Sequence, residues 1–374
     1  SVTFSLSGYQ TRTQENIAVR IGSTTRVDSI MTSAFTDEVV VTSESPLVDT
    51  SNTNIGVDLS PDFYNDLPTG RNYTSVAQVT PGAQEDASGA TFYGSTGAEN
   101  AYYIDGANTT GVEYGTQGTQ LNFEFIDEVQ VKTGSYNAEY GRATGSVISV
   151  ITKSGGNEFH GDVFGYWDDS SLQSNLKGDA EVGPLTGTTF NIANYNRSDY
   201  GFDLGGYVVK DKLWFFVAYD RVDNEDNKEV LDNYGDLIPG APNAGDQYTT
   251  DLTRDLFAAK LTWRIAANHS LSGSYFADPG TSSGVLPGAS LASTPLHFAG
   301  DRDTGGDNFS FNYDGIFGQN VVISARAAQH NEEDKQLGPG HETEGYIDFT
   351  QATTIWGWTA GGGSNNRESG FGFH

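Results

Sequence analysis

Read two residues at a time, the chain after residue 157 separates repeatedly into an apolar and a polar half. Phe159, Gly161, Val163, Gly165 and Trp167 share one face of a candidate strand. Tyr200, Phe202, Leu204, Gly206 and Val208 form the next, with Asp199 and Asp203 on its opposite face. Leu213, Phe215, Val217 and Tyr219 follow a turn at Lys210-Asp211-Lys212. Phe257, Ala259, Leu261, Trp263 and Ile265 then alternate with Ala258, Lys260, Thr262 and Arg264. A weaker strand runs through Leu271, Gly273 and Tyr275, and Phe309, Phe311, Tyr313 and Phe317 oppose Asn308, Ser310, Asn312 and Asp314. Val321, Ile323, Ala325 and Ala327 complete seven strands. Alternation at period two gives each strand one apolar and one polar face.

The connections separate two architectures that share this alternation. Only a few residues join the second strand to the third, the fourth to the fifth (266–269) and the sixth to the seventh (318–320). The intervening connections, near 168–198, 222–251 and 279–306, are long, polar and acidic. Short turns at one end and long loops at the other are the pattern of an outer-membrane barrel, which a soluble β-sandwich does not keep so regularly. Trp167, Trp214, Tyr219 and Trp263 fall near strand ends, where interfacial aromatic girdles sit. Bacterial barrels have an even strand number from about 8 upward, and the polar tail after Gly361-Gly362-Gly363 supplies no closing strand. The chain therefore reads as a piece of a longer protein at both ends.

Before residue 158 the pattern changes to small residues, Gly-containing turns and short strands, with one helix expected over 60–78 behind Ser60-Pro61. Phe63, Leu67 and Val76 give that helix an intermittent apolar face. Strands are expected at the end of 121–132 and at Val147, Ile148, Val150 and Ile151.

Composition narrows the chemistry. Among 374 residues are 46 Gly, 21 Phe and 19 Tyr but no Cys, which suits strands and turns and removes disulfides and thiolate metal sites. Twenty basic residues against 49 acidic ones give a net charge of −29, a surface that repels nucleic acid. No stretch approaches 18 apolar residues, so no transmembrane helix is expected. The six histidines stand singly, and no nucleophile elbow, Walker loop or HExxH pattern occurs, so neither an enzyme nor a cofactor is expected. The acid clusters Asp220, Asp223, Asp226 and Asp301, Asp303, Asp307 lack EF-hand spacing and read as solvated loops, with no metal site.

Three ordered motifs carry a resemblance: LPTGRNYTSVAQVTPGA (67–83), NAYYIDG (100–106) and FIDEVQVKTGSYNAEYGRATGSVISVITKSGG (125–156). They resemble the plug of TonB-dependent outer-membrane transporters, in the Oar-like (OmpA-related) branch, with Asp127 and Gln130 as mild departures. Residues 1–34 resemble the last strands of a carboxypeptidase-regulatory-like β-sandwich. The resemblance implies a mostly β chain: sandwich tail 1–34, TonB box 35–42, α+β plug 43–157, and the first part of an antiparallel transmembrane β-barrel over 158–374.

By the same resemblance, such a barrel has about 22 strands and needs a plug to close its lumen. The periplasmic domain of TonB would grip Asp37, Glu38, Val39, Val40, Val41 and Thr42, whose β-prone backbone can extend a partner's sheet. The expected partners are thus TonB, outer-membrane lipid and a large transported solute, in the bacterial outer membrane. Residues 1–42 would be periplasmic and the long loops extracellular. Arg71, Glu139 and Arg142 are candidates for ionic contacts between plug and barrel, although an arginine lining a watery lumen would look the same. Asp105 and Gly106 belong to the IDG turn, and Gly134, Gly141 and Gly145 to turns or close strand packing. Plug apices near 107–120 would bear on solute choice. A surface adhesion or assembly protein anchored by a plugged barrel is the alternative.

Overall fold

The computed structural model describes residues 2–14, 55–64, 70–86, 89–112, 114–137, 143–172, 181–182, 189–230, 247–285, 299–318, 320–337 and 365–373, with isolated positions between them. At the N-terminus β1 (Val2–Phe4) and β2 (Arg12–Gln14) form an antiparallel pair. An inner unit follows, made of β3 (Ile55–Leu59), α1 (Pro61–Tyr64), α2 (Tyr73–Ala77), β4 (Ala83–Asp86), β5 (Gly89–Phe92), β6 (Ala101–Ile104), β7 (Ala107–Asn108), β8 (Ile126–Gly134) and β9 (Val147–Thr152). Five of these strands make one sheet in the order β3-β8-β9-β6-β7, and β4 pairs with β5 separately. Within the sheet β6 and β9 run parallel, the other pairs antiparallel.

The run VISVIT is the centre of this sheet because it is apolar enough to be covered on both faces, as internal strands require. Ile148, Val129, Val131, Ile104, Tyr102 and Phe125 are sealed around it. The Tyr64 hydroxyl donates to the Ile126 carbonyl at 3.0 Å, and burial lifts its pKa well above that of a free phenol. The single helix expected over 60–78 is two short ones, α1 and α2. Pro68 and Gly70 stand in the sequence between them, and both disfavour a continuous helix. Val76 of the expected apolar face is buried, whereas Phe63 is exposed.

The wall begins with β10 (Val163–Asp169) and continues through β11 (Glu181–Val182), β12 (Thr189–Val209), β13 (Leu213–Val230), β14 (Gln247–Ala266), β15 (His269–Ala277), β16 (Gly280–Val285), β17 (Ala299–Phe317), β18 (Val321–Leu337) and β19 (Asn365–Phe373). All belong to one antiparallel sheet ordered β10-β12-β13-β14-β15-β17-β18-β19, with β11 on β12 and β16 bridging β14 and β17. Phe202, Leu204, Leu261, Trp263 and Phe311 are exposed on its outer side, while Phe216, Ala218, Ala258 and Phe276 are buried on its inner side.

Several expectations need correction. Of the loops expected near 168–198, 222–251 and 279–306, large parts are strand, and β12 alone runs for 21 residues. At about 3.3 Å per residue such a strand far exceeds an apolar band about 25 Å tall. Beyond the band both faces meet polar surroundings, so the alternation fades while the hydrogen-bond ladder continues. The acid clusters accordingly lie on β13 and β17, not on loops. Trp214 is not a girdle residue: it alternates with Phe216 and Ala218 on the inner side and donates to Asn157 at 2.8 Å. The tail after 361–363 does contain a strand, β19, paired with β18.

Ile148 is the cleanest test of the inner core. Ile148→Ala should cost about 2–5 kcal/mol of local stability. Hydrogen exchange should show lost protection across β9 and β8 while the wall strands keep theirs.

Candidate functional site

The inner unit meets the wall along a seam of individual polar contacts, and the IDG turn is its best-defined point. Asp105 and Gly106 both have positive φ (46° and 82°), the conformation a two-residue turn between β6 and β7 requires. This turn aims the Asp105 carboxylate back at β9. Oδ1 accepts from the Thr152 amide at 3.0 Å, and Oδ2 accepts from the Thr152 hydroxyl at 2.6 Å. From the wall, Lys260 Nζ donates to Asp105 Oδ1 at 3.2 Å and to the Thr152 carbonyl at 3.1 Å. Both charged side chains are nearly enclosed, at 3% exposure for Asp105 and 11% for Lys260. The Asn312 amide on β17 donates to the Asp105 carbonyl.

Arg71 forms the second point. The segment before α2 is held by backbone bonds to 121–123: Phe123 N donates to Arg71 O and Tyr73 N to Leu121 O. Arg71 Nε then reaches Asp199 Oδ2 on β12 at 2.5 Å, and its guanidinium lies 3.6 Å from Glu124. The guanidinium carbon sits 3.7 Å from the Tyr166 ring centre and 5.1 Å from those of Phe123 and Phe164, so aromatic faces surround the charge. Beside it, Asn122 donates to Asp220 of β13 at 2.6 Å.

A third group follows β9. Lys153 Nζ donates to Asp203 Oδ2 at 2.8 Å, and that carboxylate is only 1% exposed. Gly155 then passes so close to the wall that a Cβ would stand 2.2 Å from Phe215 O and 2.3 Å from Gly206 O. Only glycine fits such an approach. Around the other side, Asn308 donates to Thr119 at 2.9 Å, the Gln120 amide to Asp278 at 2.7 Å and the Val112 amide to Glu332 at 2.8 Å. Val112 and Tyr114, at the tip between those contacts, are exposed.

Of the residues singled out in the sequence, Arg71 and Asp105 are thus brought to the seam. Residues 36–42, Glu139 and Arg142 lie outside the described residues. Gly145 packs closely, since a Cβ would stand 2.8 Å from Asn100 Oδ1, but a Cβ on Gly141 would meet nothing within 4 Å and one on Gly134 only ordinary contact. Lys153, Lys260, Asn122 and Asp220 join the seam without being marked for it by any motif. The sequence does carry a signal for two of them: a lysine within an alternating strand, and a lysine directly after β9, are charges that the pattern turns inward. The acid-cluster residues are engaged too: Asp223 with Arg221, Asp226 with Arg197, Asp303 with Thr281 and Asp307 with Asn331.

A β-wall with a lipid-type outer face, closed on its inner side by a small α+β unit, defines a plugged outer-membrane β-barrel. The comparisons agree with that class. A family model described as "Outer membrane beta barrel domain" matches residues 151–234. The TonB-dependent transporter Oar of Myxococcus xanthus is 31% identical over 367 residues, covering 87% of this chain and 33% of that protein. Among solved structures, the outer-membrane transporter YddB of Escherichia coli superposes with a TM-score of 0.62 at 15% identity, over 83% of this chain and 43% of that one. The ferric enterobactin receptor PfeA of Pseudomonas aeruginosa gives 0.56 at 13%, over 85% and 44%. The chain belongs to the family of TonB-dependent outer-membrane transporters, in the Oar-like branch. It spans about a third of the curated relative it matches.

Lys260 offers a direct measure of the seam. Lys260→Met leaves Asp105 buried without its cation and should destabilise the plug–wall contact by about 3–5 kcal/mol. Adding Asp105→Asn should recover part of that loss, giving a coupling energy above about 1 kcal/mol in a double-mutant cycle read by urea-induced release of the plug.

Proposed function

We propose that the chain is the plug and first wall strands of a transporter that moves a large solute across the outer membrane, driven by TonB. The observation that carries this reading is the make-up of the seam. The plug is held by discrete charge-assisted hydrogen bonds, Arg71–Asp199, Lys153–Asp203 and Lys260–Asp105, beside a limited apolar patch of Phe216, Ala218, Leu256, Ala258 and Phe276. Contacts to charged groups are each worth about 1.5–3 kcal/mol and act only over short distances. A pull of a few ångströms therefore releases them one at a time, and they re-form when the pull ends. The apolar patch is continuous with the plug's own core, so stepwise release applies to the charged contacts, and the patch adds a smaller share that gives way together.

In this reading residues 36–42 are the handle, gripped by the periplasmic domain of TonB through strand addition. The short turns and residues 1–42 face the periplasm, and the long connections face outward. Exposed Val112 and Tyr114 lie on the plug surface open to an incoming solute. Glu139 and Arg142 are assigned to the same plug–wall pairing as Arg71. The anchored adhesion or assembly protein keeps one observation in its favour, the extension of β12, β13 and β14 well past the apolar band, which builds a raised outer surface.

Strand addition needs the backbone donor that proline lacks. Val40→Pro should weaken capture of the full-length protein by purified TonB periplasmic domain at least tenfold, while heat-modifiable gel mobility shows the barrel still folded. Unchanged capture would remove TonB coupling through this segment and leave the adhesion reading ahead.

A further inference from the structure

The outer side of the wall is not uniformly smooth. Between β13, β14, β15 and β17 lies a groove of about 390 Å³, bordered by Phe215, Val217, Ala259, Trp263, Tyr275 and Phe311. Its origin is a mismatch of side-chain size within the register. Ala259 stands opposite Val217 on one neighbour and Tyr275 on the other, so the smallest of three outward residues lies in the middle. One step along, Gly273 stands between Leu261 and Phe311. The Phe311 ring leans over that glycine, 3.2 Å from where a Cβ would be, and leaves a channel beside it. The rings of Tyr275 and Phe309, tilted at 43° with centres 4.6 Å apart, close one end. At the other end lies Trp263, opposite Leu213, the residue that follows the turn Lys210-Asp211-Lys212.

Charge identifies what fits. The chain carries only 20 basic residues against 49 acidic ones, yet two exposed lysines, Lys210 and Lys212, flank this turn at the short-turn end of the groove. Lys212 is tied to the neighbouring strand, its carbonyl accepting from Arg264 N at 2.7 Å, so the turn is fixed beside Trp263 and not free to swing away. An apolar channel within the lipid-facing band ends at an aromatic residue and a turn whose two lysines outnumber its one carboxylate, Asp211, which accepts from Asn157 at 2.6 Å; it matches a lipid with one acyl chain along the channel and an anionic phosphate at the turn. The short-turn end of such a barrel faces the periplasm. We propose that this groove is a fixed seat for an acyl chain of an anionic glycerophospholipid of the periplasmic leaflet, with its phosphate at Lys210 and Lys212.

The test uses the full-length protein in detergent, titrated with palmitoyl-oleoyl-phosphatidylglycerol and observed by native mass spectrometry. One lipid should be retained per chain. Ala259→Phe, which fills the channel with a residue the lipid face tolerates, should reduce retention at least fivefold, and Ile323→Phe, elsewhere on that face, should not. Lys210→Gln with Lys212→Gln should lower phosphatidylglycerol retention to the level of phosphatidylcholine. Phosphatidylglycerol brominated on its acyl chain should quench Trp263 fluorescence in the protein but not in the Ala259→Phe variant. Equal retention by Ala259→Phe overturns the seat. Loss on filling the channel with no effect of the lysine changes overturns the headgroup and leaflet assignment, as does preferential retention of lipopolysaccharide. Unchanged heat-modifiable mobility in every variant excludes misfolding as the cause.

Discussion

A carboxylate taken out of water is costly to keep charged unless a cation or several donors meet it. The inner side of this wall buries several. Asp203 and Asp220 are nearly inaccessible, and each is met by a group that the plug supplies: Lys153 for the first, Asn122 for the second. In return the wall presents Lys260 to the plug's buried Asp105. Apart, either surface could leave these groups to water; brought together they are dry, and each then needs the partner that the other surface supplies. Complementary charge thereby fixes one orientation of plug in barrel, which packing against a smooth apolar wall would not.

The same constraint accounts for how the strands are built. In hydrocarbon every backbone donor and acceptor must be paired within the protein, and a sheet does this through its ladder. Outward positions over that span must be apolar, and inward ones must suit the plug. Once the strands leave the lipid, the ladder still has to be kept, but outward side chains are released from the apolar requirement. Arg221 on β13 bonds Asp255 on β14 at 3.1 Å there, only one alternation step beyond the outward Tyr219 and Phe257. The edge of the membrane is therefore written on the wall within two residues.

That switch explains what could be read from the sequence. Where lipid meets the strand, from Tyr200 to Val208 or Phe257 to Ile265, the alternation is strict and the strands were legible. Beyond it, as in 189–198 or 299–306, polar residues fall on both faces and the same ladder looks like loop. Asp105 was legible as a turn residue because Asp-Gly favours positive φ, but not as the partner of Lys260, 155 positions away, since no local pattern encodes that distance. Arg71 was legible through the GRN motif, whereas Asp199 appeared only as one polar residue among others on its strand. The helix expected over 60–78 is interrupted for a local reason, since Pro68 and Gly70 outweigh its intermittent apolar face.

The order of the inner sheet adds a mechanical consequence to the proposed coupling. Residues 36–42 precede β3, which among the described residues is an edge strand paired to β8 through a short register from Ile55 to Leu59. Of the described parts of the plug, β3 is the first in the chain to meet a pull on the handle. The Asp105–Thr152–Lys260 contact sits further in, on β9 and on the turn beyond β6, behind two more strand pairs. Peeling an edge strand breaks one pair of backbone bonds at a time, whereas dragging β9 would strain the longest apolar run of the core together with Lys153 and Asp203. Force entering at β3 would then remodel the near part of the plug while the seam at Lys260 and Asp203 holds the rest against the wall.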